Sequence, residues 1–420
     1  MAALFDNPVQ MEPLLVGESG PSHSRLLELA HSMSEASARL DAALPTATAR
    51  SLSDLVTGMN CYYSNLIEGH HTLPLDIEKA LQTSTKAKDH SRLRSLAYAH
   101  IEAERWAKEQ QFSEHSLVPF LLDVHRVFCE HLPNELLTLE DGARMEPGRL
   151  REREVHVGLH LAPKASTLPQ FLSRFADVYG SRLDRFRQTG KGKLDTIVAA
   201  FAAHHRLAWI HPFPDGNGRV ARIVLDAMLR ECDVNRSSLW SMSRGFAKTN
   251  EQYKQRLAGA DERRMGDLDG RGNLSELRLA EFCEYAMQTA IDQAAFMTRL
   301  FGLDGLRERA EGYFQRVRFD LKPESAFIFL QAFKMGEIDR GEAIRVTGLH
   351  ERTARNVLST LLEEGFLRSD SPKGRVRAGF PVHGLGSLFP NLYPAGDVDV
   401  KPRVARQRLT GRTSTVRTKR

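Results

Sequence analysis

The segment His211-Pro212-Phe213-Pro214-Asp215-Gly216-Asn217-Gly218-Arg219-Val220-Ala221-Arg222 gathers an imidazole, a carboxylate, two glycines and two guanidinium groups within twelve residues. Glycines just ahead of a helix let backbone N–H groups converge on one point, and with the helix dipole they make an anion site. Arg219 and Arg222, three residues apart in the first helical turn, project from one side and suit charge-assisted contacts to phosphate oxygens. Asp215, an oxygen donor beside that cradle, suits Mg²⁺, which commonly takes one carboxylate together with substrate phosphates. His211 stands at the mouth as the natural general base. A single histidine at a helix end, or a single Gly-Asn-Gly turn, is usually structural; the conjunction carries the reading. His204 and His205 stand nearby, but no Asp or Glu on the same helix is close enough to complete a metal cluster with His211. Neither a Walker A pattern nor a kinase catalytic loop occurs.

These groups need two helices to hold them. An apolar helix over 194–210 ends at His211, because proline disfavours helix in the residue before it. Val220, Ile223, Val224, Ala227 and Met228 recur at helical spacing and start a second helix near Gly218. Similar spacing predicts helices over 24–42, 75–82, 92–110, 117–130, 168–186 and 277–301, and onward from 306. The stretch 147–161 breaks the pattern: Val155, Val157 and Leu159 alternate with His156, Gly158 and His160, which predicts a strand or hairpin. Residues 1–20, with three prolines or glycines in the last eight, read as a loose lead-in, and 265–275 as a loop. Beyond Pro323 three short helices (326–333, 340–347, 351–364), a turn at Gly348 and a basic hairpin follow the order of a winged helix-turn-helix. Arg352, Thr353, Arg355 and Asn356 would then face a major groove; a protein-interaction module is an equal alternative.

The hydrophobic share of 41% and charged share of 26% belong to an ordinary globular protein. No apolar run approaches the roughly 20 residues that span a bilayer, so no membrane partner is expected. The opening MAALFDNPVQ has neither the basic nor the apolar region of a secretory leader. Cys61, Cys129, Cys232 and Cys283 are scattered without metal or disulfide spacing, and a cytoplasmic protein is expected. The net charge of +5 is uneven: 401–420 holds eight basic and no acidic residues, leaving about −3 for the rest. Such a tail suits nucleic acid or another acidic surface, or it is a solubilising extension.

The twelve-residue segment is similar to the signature HPFx[D/E]GNGRxxR of the Fic family of AMP-transferring enzymes, with every fixed position present. The resemblance covers about 52–257 and implies a mainly α fold: a helical Fic core with a β-hairpin flap, joined to the C-terminal winged helix. It divides the chain into an N-terminal helical region (1–110), the core (111–264), a linker with helices (265–320), the winged helix-turn-helix (321–385) and the tail (386–420). It makes His211 the base that deprotonates a target hydroxyl and gives Asp215 the Mg²⁺. The backbone of Gly216, Asn217 and Gly218, with Arg219 and Arg222, would hold the phosphates of ATP. Asn250 and Tyr253 resemble the family's adenine-side positions, and Val155, His156 and Val157 fall where the flap aligns a target backbone. Upstream, Ser64-Asn65-Leu66-Ile67-Glu68-Gly69 would otherwise be a helix end with a glycine cap. Beside a Fic core it resembles the inhibitory motif [S/T]xxxE[G/N], with Glu68 occupying Arg222 in place of the γ-phosphate. The expected function is adenylyl transfer from ATP to a Ser, Thr or Tyr hydroxyl of a protein. AMP removal by the same site, and a DNA-binding regulator, are the alternatives. The expected partners are a hydroxyl-bearing protein, DNA through the winged helix and tail, and a second copy of the chain as a homodimer.

Overall fold

The structure is a computed structural model that describes residues 5–18, 20–82, 91–158 and 160–400. Most of the tail, and Leu159 of the alternating stretch, thus lie outside the described residues. The helices in order are α1 (Pro21–Ala42), α2 (Thr46–Ile67), α3 (Pro74–Gln82), α4 (Arg92–Glu109), α5 (Glu114–Glu130) and the short α6 (Asn134–Leu137). After a hairpin of β1 (His156–Val157) and β2 (His160–Leu161) come α7 (Leu168–Thr189), α8 (Lys193–Ile210), α9 (Asn217–Glu231), α10 (Met242–Lys248), α11 (Asn250–Gly259) and α12 (Glu276–Phe301). The fold is mainly α, as the helical periodicities predict.

Two compact units divide the chain. The first takes residues 1–41, 56–72 and 79–297. In it α4 packs on α5, α5 on α7, α7 on α8 and α8 on α9. The centre is α8, whose residues from Thr196 to Ile210 are buried except Ala208. Small alanines let neighbouring helices close in on every side, and a helix apolar all round belongs in a core. The hairpin is antiparallel with Val157 opposite His160, and Gly158 (φ 61°) supplies the left-handed turn. The expected loose lead-in is instead packed. Arg206, fully buried on α8, donates through Nε and Nη2 to the Pro13 carbonyl (3.0 and 2.7 Å), and the Tyr179 hydroxyl donates to the Leu14 carbonyl. A buried guanidinium must find acceptors, and the N-terminal backbone supplies them.

The second unit takes residues 42–55, 73–78 and 298–420. It holds α13 (Leu303–Gly312), α14 (Ser325–Met335), α15 (Arg340–Arg345), α16 (Glu351–Glu363), a hairpin of β3 (Leu367–Arg368) with β4 (Arg377–Ala378), and α17 (Val382–Leu388). Leu367 pairs with Ala378, and a bridge joins Ile338 to Val376. Its core is an aromatic cluster in which Phe366 meets Phe314, Phe329 and Tyr313. Glu364, buried below, accepts from Arg318 at 3.0 Å. The helix Thr46–Ile67 is absent from the helices that the spacing predicts, apart from a helix end expected at Glu68; its first turns belong to this unit and its last, from Val56, to the first.

Candidate active site

Where α8 stops, His211 adopts the left-handed region (φ 49°, ψ 61°), an uncommon conformation for a residue with a Cβ. Arg151 holds it there. Its Nε donates to the His211 carbonyl at 2.8 Å, its Nη1 to Arg153 O and its Nη2 to Pro163 O, while its backbone N–H donates to Pro212 O. One buried guanidinium therefore ties the base of the hairpin to the loop. Phe213 is fully buried and lies flat on the His125 ring, centroids 4.0 Å apart. The Asn217 side chain accepts from Phe213 N (2.8 Å) and donates to Phe213 O (2.7 Å), closing the loop on itself. Gly216 (φ 81°) caps α9, and the first i→i−4 bond is Val220 to Gly216. The N–H groups of Asn217, Gly218 and Arg219 precede that bond and so have no partner inside the helix.

The two arginines lie beneath this turn. Arg219 donates to Asn65 Oδ1 at 3.2 Å and sits 5.3 Å over the Phe128 ring, and its buried Nη2 has no hydrogen-bond partner. Arg222 donates to Ser64 Oγ (3.0 Å), to Ser64 O (3.1 Å) and to Glu68 Oε1 (2.7 Å). Its side chain is 2% exposed and that of Glu68 32%. Burial raises the Glu68 pKa, but Arg222 and then Arg219 outweigh it, so the carboxyl titrates below its usual 4.5. A Cβ at Gly218 would collide with Glu68 Oε1. The carboxylate thus rests on the glycine of the amide turn and against Arg222, where an anion belongs.

The sequence 118–229 matches the Fic/DOC family. This segment is a Fic domain. Curated relatives agree: the protein adenylyltransferase Fic of Nematostella vectensis is 28% identical over 176 residues, covering 40% of this chain and 36% of that protein. The protein of the same name from Drosophila willistoni is 34% identical over 109 residues, 26% of this chain and 18% of its own. The chain thus spans about a third or less of these relatives. Among solved structures, a Fic family protein from Desulfovibrio desulfuricans has a TM-score of 0.49 at 18% identity, covering 87% of this chain and 98% of that one. Fic-1 of C. elegans has 0.46 at 17%, covering 65% and 71%.

Within the Fic domain Asp215 is exposed, and its Oδ1 accepts from Gly216 N at 2.6 Å. One carboxylate beside an anion cradle fits a cation that takes its remaining ligands from phosphates and water. Among the described residues no group of three or more His, Cys, Asp or Glu side chains could hold a metal unaided. His205 Nε2 is engaged by Leu257 O at 3.0 Å and Asp261 at 3.2 Å. The four cysteines are free and buried. Of the hairpin residues, Val155 is half-buried and His156 exposed, and β2 is anchored by His160 Nε2 on Trp209 O at 2.7 Å. Beside Asp215 opens a cavity of about 770 Å³, lined by Glu140, Arg144, Glu152, Val155 and His70 among others. Asn250 begins α11 with its Oδ1 buried and unpartnered, a candidate acceptor for a ligand. Tyr253 is only 4% exposed, with its hydroxyl on His204 at 2.9 Å, so it is buried rather than on an open surface. Arg151 and His125 escape sequence reading, and His204 was weighed there only as a metal ligand. Arg151 had a faint signal, an arginine inside a predicted hairpin; His125 had only helical context.

Proposed function

We propose that this chain transfers AMP from ATP to a hydroxyl side chain of a protein. The observation that carries the reading is the conjunction at one turn: amides of Asn217, Gly218 and Arg219 without partners inside α9, two guanidinium groups, and an imidazole held neutral by burial. The target oxygen bonds to the α-phosphorus, its proton passes to His211, and the bond from the α-phosphorus to the bridging oxygen breaks as pyrophosphate leaves. Asp215 would hold Mg²⁺, which when bound neutralises phosphate charge. Arg222 would receive the γ-phosphate. The resting protein has Glu68 in that place, so ATP settles in a pose that spoils in-line attack, and rate falls steeply with misorientation. The names of the relatives, protein adenylyltransferase Fic, support the same reaction. Because Glu68 remains partly exposed beside the cradle, orientation of a water for AMP removal is the second reading.

The experiment is label transfer from ATP marked on the α-phosphate, with γ-label as control. Wild type should transfer weakly, Glu68→Gly strongly, and Glu68→Gly with His211→Ala about 10²- to 10⁴-fold less, the usual effect of losing a positioned base. Equal transfer by the double variant removes His211 from the mechanism. Unchanged transfer by a folded Glu68→Gly protein removes the inhibitory role. If Glu68 orients water, AMP removal from a labelled protein disappears in Glu68→Gly as transfer rises.

For the second unit we propose a winged helix-turn-helix formed by α14, α15, α16 and the β3–β4 hairpin. Arg352, Arg355 and Asn356 are exposed along α16 and Thr353 partly so, a polar face suited to DNA.

A further inference from the structure

The loop that carries His211 rests on α5. There the His125 ring lies flat on Phe213, with 6° between the planes and centroids 4.0 Å apart, and both residues are fully buried. A Cβ on Gly216 would stand 3.6 Å from His125 Cδ2, so the same ring backs the glycine that caps α9. One turn further along α5, the Cys129 sulfur lies 3.4 Å from Nε2 and helps to fix the ring. The other nitrogen reaches away from the loop: the Gly148 N–H donates to His125 Nδ1 at 3.0 Å. A backbone amide only donates, so Nδ1 holds a lone pair and the ring is the neutral tautomer with its proton on Nε2. Gly148 suits this close approach. Its φ is 75°, and a Cβ there would come within 3.0 Å of Arg126 Cβ and 3.1 Å of Leu122 O, both on α5. Three residues later, Arg151 donates to the His211 carbonyl at 2.8 Å. A continuous set of contacts thus runs from His125 to Gly148, along the chain to Arg151, and from Arg151 to His211.

We propose that His125 is a positioning residue for the transfer reaction: its Nδ1 anchors Gly148 and so sets the reach of Arg151 to His211, while its face carries Phe213. The inference rests on the reading of His211 as the base. Two separate stretches of chain fix that base, the loop that bears it and the segment whose arginine holds its carbonyl. Both are referred to one clamped ring on α5, so their spacing is set before any substrate arrives. The phosphates of ATP would instead meet the amides of 217–219 and the two arginines, none of which bonds to Nδ1. Loss of the Nδ1 acceptor therefore acts on the chemical step and not on nucleotide binding.

The test uses full-length protein carrying Glu68→Gly, with self-labelling from α-labelled ATP as the rate and calorimetry for ATP affinity. Adding His125→Phe keeps a flat ring on Phe213 and removes the acceptor. The rate at saturating ATP should fall about tenfold, the scale of one stranded amide, with ATP affinity within about twofold. Combined with Arg151→Ala the losses should not multiply, because both act on His211 through one segment; the combination should match Arg151→Ala alone within about threefold. An unchanged rate in His125→Phe, equal loss of rate and affinity, or losses that multiply overturns the proposal. If the combined variant does not fold, the split between rate and affinity in His125→Phe decides alone. Absence of self-labelling by Glu68→Gly would instead overturn the proposed reaction. Hydrogen exchange in peptides spanning 143–152 then still reads the anchor: faster exchange at Gly148 in His125→Phe supports it, and unchanged exchange overturns it.

Discussion

Burial is the largest influence on His211. It lowers the imidazole pKa from the usual 6.5 to about 4, with Arg151 and His160 adding to the drop and the Ala208 backbone and Asp215 opposing it. A base must be unprotonated to work, so His211, in the proposed role of base, would be competent through the whole physiological range. In Glu68→Gly, transfer should show no acid limb at 6.5; the rate should stay level from about pH 8 down to 5.5 and fall only toward the lowered pKa. Glu68 has the same sign of linkage, since its pKa is also lowered. Its folded pKa lies below 4.5, so the stabilisation from the Arg222 pair is fully present above that value and is lost as pH falls through the folded pKa. Wild type should therefore remain inhibited over pH 5.5–8. A stopped series of label-transfer rates for both proteins checks this, and a limb centred at 6.5 in Glu68→Gly contradicts the buried, neutral base.

The elements that carry this chemistry differ in how well sequence betrays them. Helices α8 and α9 and the loop between them were legible, because Pro212 and Gly216 punctuate two strongly periodic runs. The hairpin was legible from Val155 to His160, whose alternation obeys the pleat. The staple that joins hairpin to loop was not. Arg151 acts on the His211 carbonyl 60 residues away, and nothing local distinguishes it from Arg149 or Arg153, both exposed. The packed lead-in was hidden for the same reason: its anchor is the side chain of Arg206, 193 residues distant from Pro13. Long-range partners of a buried cation leave no periodic trace. Arg151→Ala would strand three carbonyls and release the left-handed His211. It should cost about 2–4 kcal/mol of unfolding free energy, and in Glu68→Gly it should lower the transfer rate at saturating ATP far more than ATP affinity. Denaturant melts with single-turnover label transfer measure both; wild-type turnover in the variant would show that the loop holds His211 unaided.

At the scale of the whole molecule, sequence composition points to a division of labour that the Fic domain alone does not explain. Outside 401–420 the chain carries a net charge of about −3, so nonspecific attraction to a polyanion cannot come from the bulk of the surface. It would have to come from local groups, and α16 offers them. Arg352 is exposed, and Arg355, 66% exposed, pairs with Glu351, itself 65% exposed. An exposed pair on a helix is worth little in water and exchanges readily for phosphate. If α16 enters a major groove, binding to a duplex of random sequence should weaken with salt at a logarithmic slope of about −0.9 per phosphate neutralised. Removing 401–420 should flatten that slope by the tail's share, whereas Arg352→Ala with Arg355→Ala should weaken binding in the truncated protein further. Fluorescence anisotropy across a salt series on the full chain, the truncation and the double variant separates the two contributions. If the full chain shows no binding at low salt, the polar face of α16 is a docking surface for protein, and DNA has no part in this molecule.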